Sequence, residues 1–368
     1  MKILLAPDKF KGTLTAEEVC AIMQRGLHSV LPDADIVSCP IADGGDGFAE
    51  VLRSQLNGAW VECPAHDALG RPIDARYALC GDTAVIEMSE ASGLWRVAEN
   101  VRDIWRSSTL GTGEMMRHAI EQSRVKRIIM GIGGSATNDA GCGMAAALGV
   151  RFLNDRGDEL DPTPSELKHC GKIDISERLT LPEVLIACDV DNPLLGNEGA
   201  TRVYGPQKGV VENDFGQWDD YFELLVTLTD GGTAAMIPGA GAAGGLGFGL
   251  IQFCGARLLP GFDLVAQEVG LMEKILACDV VITGEGRLDA QTLHGKGPAG
   301  VAEMARDAGK KVFAIAGSVE CEPLHLFDGA YALHHDSRTL EESMQRSEEL
   351  LMVAAVELGD TLRASGRV

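Results

Sequence analysis

A chain of 368 residues and 39.0 kDa is too long for one small domain and, at about 100 to 200 residues per domain, reads as two. Its 45% hydrophobic and 23% charged residues exclude a disordered chain, and its 45 glycines, clustered without a three-residue period, exclude a collagen-like one. A formal charge of -22 opposes nucleic acid and anionic lipid, and no Lys/Arg run supplies a locally basic face.

The N-terminal apolar run is far shorter than a signal-peptide core, and no segment approaches the ~18 to 20 apolar residues of a membrane span. A cytoplasmic protein with neither a nucleic-acid nor a membrane partner is therefore expected. The 10 cysteines contain no C-x-x-C pair, so reduced and mostly buried thiols are expected instead of disulfides or a zinc site.

In chain order, residues 3–6 read as a strand, 15–30 as an amphipathic helix, 36–39 as a strand and 47–55 as a helix after a glycine loop. Between 59 and 88 the pattern changes to short strands (60–63, 73–79, 84–88) broken by Gly70-Arg-Pro72 and Gly81-Asp82, a small meander that puts a domain boundary near residue 57. A helix at 111–122, an apolar strand at 127–130, a helix at 143–148 and a strand at 184–188 follow. The early texture then returns with a helix at 264–277, a strand at 280–283, a helix at 300–308, strands at 312–316 and 330–333, and a closing helix at 339–363 whose apolar stripe reads as core.

Two strands in the first piece and three in the last fit a flavodoxin-like doubly wound parallel sheet, whose ligands gather beyond the C-terminal strand ends. The expected organisation is a flavodoxin-like domain of residues 1–57 and 260–368, interrupted by a larger mixed α/β domain of residues 58–259. The active site is expected in the cleft between them.

The strongest local signal is Met130-Gly-Ile-Gly-Gly-Ser-Ala-Thr-Asn-Asp-Ala-Gly-Cys-Gly143, a strand running through glycines and hydroxyls into a helix. Backbone N–H groups freed by glycine, backed by hydroxyls and a helix N-terminus, make an anion cradle. Gly133, Gly134, Ser135, Ala136, Thr137 and Asn138 are the candidate phosphate-binding residues. No G-x-x-x-x-G-K-[ST] occurs, so a P-loop NTPase is excluded. A second cluster, Pro238-Gly-Ala-Gly-Ala-Ala-Gly-Gly-Leu-Gly-Phe-Gly249, contains G-x-G-x-x-G, but no clear strand precedes it. It reads either as a contact to a nucleotide or substrate, or as a close approach of helix and backbone.

Cations are scarce, so those in glycine-bearing loops stand out: Lys9 and Lys11 after the first strand, Lys208 in Gly205-Pro-Gln-Lys-Gly209, and Arg287, His294 and Lys296 in the segment from Gly284-Glu-Gly286 to Gly297. Such groups neutralise charge on a moving phosphoryl group. Carboxylates lie in matching places, at Asp43-Gly-Gly-Asp46-Gly47 and at Cys188-Asp-Val-Asp-Asn-Pro193, which ends an apolar strand and where Asp189 and Asp191 share one face by the two-residue period. A magnesium nucleotide uses one or two carboxylates, and a hydroxyl acceptor benefits from one more as base.

Together with Ala6-Pro-Asp-Lys-Phe-Lys-Gly12, Thr283-Gly-Glu-Gly-Arg-Leu-Asp289 and His294-Gly-Lys296, these motifs resemble the type I glycerate kinase family, in family order from residue 1 to beyond 319. The resemblance implies ATP-dependent phosphorylation of D-glycerate with Mg2+, usually on the 2-hydroxyl in bacterial members. It also implies a flavodoxin-like domain interrupted by a larger one. The chain departs from the family at Lys9, where Ser is common, and at Asp191, a position not regularly acidic, so both are left out of the catalytic set.

On this reading Asp189 is the general base and Arg287 and Lys296 stabilise charge. The phosphate cradle joins Gly284 and Gly286 as the nucleotide site. Lys11, Asp43, Lys208, Asp289 and His294 bind substrate, Asp43 and Asp189 bind the metal, and the protein is a monomer or homodimer. The alternatives are a kinase for a related hydroxy acid such as tartronate, or a non-catalytic two-lobed organic-acid binding protein.

Overall fold

The computed structural model describes residues 1–289, 297–319, 326–334 and 339–364. The strands in chain order are β1 (Lys2–Leu5), β2 (Asp35–Ser38), β3 (Ala59–His66), β4 (Pro72–Cys80), β5 (Thr83–Glu87), β6 (Arg127–Gly131), β7 (Arg151–Leu153), β8 (Lys172–Asp174), β9 (Glu183–Ala187), β10 (Arg257–Leu259), β11 (Val280–Leu288), β12 (Lys311–Val319) and β13 (Gly329–Ala332). The chain divides into two units, Met1–Asp43 with Phe262–Val368, and Gly44–Gly261.

In the first unit, five strands pair in the order β13-β12-β11-β1-β2, all parallel. Numbered within the unit, that order is 2-1-3-4-5, the flavodoxin-like arrangement. Its inner strands β1, β11 and β12 contain apolar runs buried on both faces, as a covered parallel sheet requires, whereas the edge strands β2 and β13 are partly exposed. Ile3, Leu5, Val280, Ile282, Phe313 and Ile315 form one core with the helices Ala16–Val30 and Ser347–Ala364. The alternate residues Leu4, Val281 and Ala314 are equally buried and point to the opposite face by the two-residue period of a strand.

The first helix begins where Thr15 caps it, its side chain accepting from Glu18 N–H while Glu18 reaches back to Thr15 N–H, a capping box. It packs against the last helix at Gly26, where a Cβ would lie 2.7 Å from that of Ala355. Any larger residue there would push the two helices apart.

The second unit carries a six-stranded mixed sheet, β10-β9-β6-β5-β4-β3. β3, β4 and β5 form an antiparallel meander that extends into the parallel strands β6, β9 and β10. The helix Phe48–Gln55 packs on β4 and β5. It therefore belongs to this unit and not to the first sheet, and the first unit ends at Asp43 instead of near 57.

Other expectations are corrected. The helix expected at 264–277 is two, Gly261–Glu268 and Leu271–Leu276, separated by Gly270 at φ 62°. The closing helix is also two, Leu340–Gln345 and Ser347–Ala364. β11 does not stop at Thr283: it runs to Leu288, pairing Gly284 with Ile315 and Arg287 with Ser318. No disulfide links the described cysteines, and no helix among the described residues is long and apolar enough to cross a membrane.

Candidate active site

In the second unit the chain leaves β6 at Gly131 and enters the loop that ends at the helix Cys142–Ala147. Its mouth is exposed at Gly133 and Gly134, whereas Ser135, Ala136, Thr137, Asn138 and Asp139 are buried. Gly134 sits at φ 73°, a left-handed conformation that glycine adopts without penalty. The rim is fixed by Leu94 N–H donating to Gly134 O and Ala136 N–H donating to Ser92 O, at 2.8 and 2.9 Å.

Among the described residues, the N–H groups of Gly133, Gly134, Thr137 and Asn138 have no protein acceptor. Deeper in, Thr137 Oγ1 and Asn138 Oδ1 are buried without a hydrogen-bond partner. A loop that leaves this many polar groups unsatisfied is built to meet a polar ligand, since burying them unpaired costs about 1–3 kcal/mol each.

Asp139 anchors the loop from below. Its Oδ2 accepts Thr109 N–H and the Thr109 hydroxyl, both at 2.7 Å, and Gly143 N–H at 3.1 Å, while its Oδ1 accepts Gly141 N–H at 3.1 Å. Burial pushes the carboxyl above its ordinary range, and these bonds oppose the shift. Sequence reasoning missed both Asp139 and Thr109 as site-building residues, although Asp139 closes the motif that was singled out.

The second glycine cluster lies directly behind the loop. A Cβ at Gly244 would come within 2.0 Å of Thr137 O, and one at Gly249 within 2.5 Å of Ala140 O. Ala243, Gly244 and Gly245 all have left-handed φ inside the segment Ala242–Cys254. The cluster is therefore the close backbone approach, and the dinucleotide fingerprint is set aside: these glycines back the loop on one side and have no phosphate-facing strand before them.

One acidic motif meets the same loop, and its Gly44 also meets the end of the strand that leads into the other. Gly44 O would lie 2.6 Å from a Cβ at Gly131, and Gly45 Cα would lie 3.3 Å from one at Gly133. A Cβ at Gly44 would in turn meet that of Ala187, at the end of β9, at 2.6 Å. Two residues beyond, half-buried Asp189 accepts Gly261 N–H on Oδ1 at 2.8 Å. Because β9 ends at Ala187, the strand period does not place Asp189 and Asp191 on one face, which corrects that expectation.

Lys208, a candidate substrate ligand, is 2% exposed, and its Nζ donates to Thr137 O at 2.7 Å. Burial lowers its ammonium to about 7, against the pull of the Asp139 charge.

In the first unit, the ends of β1 and β11 bring a second group together. Asp8 N–H donates to Gly284 O at 2.8 Å, and Lys11 N lies 3.3 Å from where a Cβ of Gly286 would stand. Gly284 and Gly286 are strand residues, not loop residues: a Cβ at Gly284 would sit 2.0 Å from Ile315 O, and Gly286 O is 2.3 Å from a Cβ at Gly317. The small size of Gly284 and Gly317 serves the pairing of β11 with β12, while Gly286 faces the backbone of Phe10 and Lys11.

Arg287 Nε faces Asp289 Oδ2 at 3.2 Å with its side chain 58% exposed, an open ion pair of little energetic worth. Asp8 was not selected from the sequence. It is buried, and that burial, opposed by the Lys9 charge and reinforced by Asp43, raises its carboxyl to about 6. Lys296 and His294 lie outside the described residues.

The chain thus carries a flavodoxin-like unit and a mixed α/β unit whose glycine-rich loop after β6 leaves backbone N–H groups without a protein acceptor among the described residues. The glycerate kinase family model matches residues 3–363. The chain is 42% identical to a glycerate kinase of Halalkalibacterium halodurans, over 96% of each chain. It is 40% identical to a glycerate 2-kinase of Escherichia coli, over 98% of each. A crystal structure described as glycerate kinase 2 from Salmonella typhimurium LT2 superposes with a TM-score of 0.91 at 39% identity, over 100% of both chains. The chain belongs to the glycerate kinase family, and by that membership it is a kinase acting on glycerate.

Proposed function

We propose that this enzyme transfers the γ-phosphoryl group of ATP to the 2-hydroxyl of D-glycerate, giving 2-phospho-D-glycerate. The observation that carries the reading is the loop after β6, whose exposed glycine N–H groups and unpartnered Thr137 hydroxyl can donate to the acceptor-rich oxygens of a polyphosphate. The 40% identical relative named as a glycerate 2-kinase supports the choice of hydroxyl.

Asp189 takes the proton of the attacking hydroxyl, and Arg287 and Lys296 meet the charge that spreads over the transferred group. Lys11, Asp43, Asp289 and His294 orient the glycerate carboxylate and hydroxyls, and Gly284 and Gly286 offer backbone to the nucleotide. Among the described residues no cluster of three or more His, Cys, Asp or Glu forms a metal cage. A magnesium nucleotide needs no such cage: one or two hard carboxylates suffice, with phosphate and water completing the shell. Asp43 and Asp189 would hold the ion, which would supply positive charge to offset that of the phosphates.

Purified protein with Mg-ATP and D-glycerate tests the reading, with the product identified by phosphorus NMR. A 2-phosphate is expected. Formation of the 3-phosphate alone would overturn the regiochemistry, and turnover with tartronate but not glycerate would move the substrate to the related acid. Binding of glycerate without ATP consumption would favour the non-catalytic binding protein.

A further inference from the structure

Lys208 is an unusual residue for the interior of an acidic protein. It occupies the short turn Pro206–Lys208 directly after the helix Ala200–Tyr204, and it is almost wholly buried. This turn is held in place on both sides: Lys208 N–H donates to Gly205 O at 2.9 Å, and Arg102 Nη1 donates to Gln207 O at 3.3 Å. Gly205 makes the turn possible, since a Cβ there would lie 2.2 Å from Thr201 O.

The segment grips two successive residues of the anion loop. Asn138 Nδ2 donates to Thr201 Oγ1 at 2.9 Å, and Lys208 Nζ donates to Thr137 O at 2.7 Å. From another side Gly244 stands against Thr137 O and Asn138 Cα.

We propose that Lys208 is a positioning residue for the phosphate-binding loop: from the interior of its unit, its ammonium fixes the Thr137 carbonyl inward and so turns the Asn138 N–H toward the ligand. The proposal rests on the reading that this loop receives the nucleotide phosphates. Its physical basis is the planar trans peptide, in which C=O and N–H point in opposite directions, so holding one aims the other. A cation behind the loop also makes the potential at its mouth more positive, a preorganised contribution that requires no reorganisation during transfer. The charge is balanced inside the unit by Asp139, whose field favours the protonated lysine. A carboxylate ligand on Lys208 would have to displace the Thr137 bond and enter a site with almost no exposed surface.

The test compares wild type with K208M, which keeps the length of the side chain and removes the charge. Affinity for the non-hydrolysable analogue AMP-PNP is measured by calorimetry, and the KM for D-glycerate by coupled assay. Loss of one bond to a charged group predicts nucleotide affinity weaker by roughly ten- to a hundredfold, with the glycerate KM changed less than about twofold if no substrate contact is lost. Should K208M not fold, K208Q carries the same comparison.

A raised glycerate KM with intact nucleotide affinity would overturn the proposal and return Lys208 to the substrate. Unchanged values for both, with only a shifted melting temperature, would overturn it too and leave a structural lysine. G134V separates this outcome from failure of the loop reading itself: nucleotide binding lost in G134V but kept in K208M sinks only the positioning role. Binding kept in both sinks the phosphate loop.

Discussion

Asp139 and Thr109 are joined twice, by the Thr109 N–H and the Thr109 hydroxyl, each 2.7 Å from the same carboxylate oxygen. Thr109 precedes the helix Leu110–Glu121, and its hydroxyl also accepts Met144 N–H at 2.9 Å. One buried carboxylate thus ties the start of that helix to the floor of the loop after β6, with Gly141 and Gly143 N–H as further donors.

Removing the carboxylate leaves those donors unpaired in the interior. D139A is therefore expected to lose about 3–5 kcal/mol of stability, read as a lower denaturant midpoint with unchanged m-value. T109V, which removes only the hydroxyl, is expected to lose about 1–3 kcal/mol. Equal losses in the two variants would show that the carboxylate has no role beyond its Thr109 hydroxyl bond.

Gly244 permits the backing of the loop. Its φ of 69° and the 2.0 Å approach of a Cβ to Thr137 O mean that G244A must displace the very carbonyl that Lys208 holds. Gly196, at φ 90° with nothing within 4 Å, offers a control in which only backbone strain acts. G196A is expected to cost about 1–2 kcal/mol and leave nucleotide affinity intact, whereas G244A should weaken it by at least about tenfold. Matching nucleotide affinities in the two variants would remove the glycine cluster from the site.

Asp189 is placed just past the end of β9 by its bond to Gly261 N–H. If it is the base, D189N should lower kcat by roughly 10² to 10⁴ with little change in nucleotide affinity. Restoration of kcat at raised magnesium concentration would remove the base role and leave Asp189 as a ligand of the ion alone.

Asp8 carries a pH signature. Its carboxyl titrates near 6 in the folded protein against an ordinary 3.8, chiefly because it is buried. Between those values the native state holds a proton that the unfolded chain has released, so stability falls as pH rises through this window and the full penalty is present above it. Asparagine resembles the protonated acid. The stability of D8N relative to wild type should thus be near zero below pH 4 and grow to about 3 kcal/mol above pH 6. Melting curves at pH 4, 5, 6 and 8 check this, and a gap that does not vary with pH would contradict it.

What the sequence determined by itself was whatever neighbours along the chain encode. Apolar runs such as residues 280–283 and 312–316 marked the parallel strands, and the early and late runs together pointed to one doubly wound sheet. Gly-Gly-Ser-Ala-Thr-Asn-Asp, ending at Asp139, marked the loop by packing polar donors where a plain turn needs none.

Tertiary structure alone decided the rest. Helix Phe48–Gln55 joins the second unit because β4 and β5 offer its apolar face a partner, a choice invisible in local periodicity. β11 continues through Gly284 and Gly286 because β12 supplies hydrogen bonds as far as Val319. Thr109 became part of the site only when folding set it against a carboxylate thirty positions away. Lys208 reads from the sequence as a cation in a glycine-bearing loop, yet its burial depends on the Thr137 carbonyl, seventy-one residues earlier, to accept its hydrogen bond. A charged side chain is stable inside a protein only where distant segments supply its acceptor and counter-charge, and no local pattern records which segments those will be.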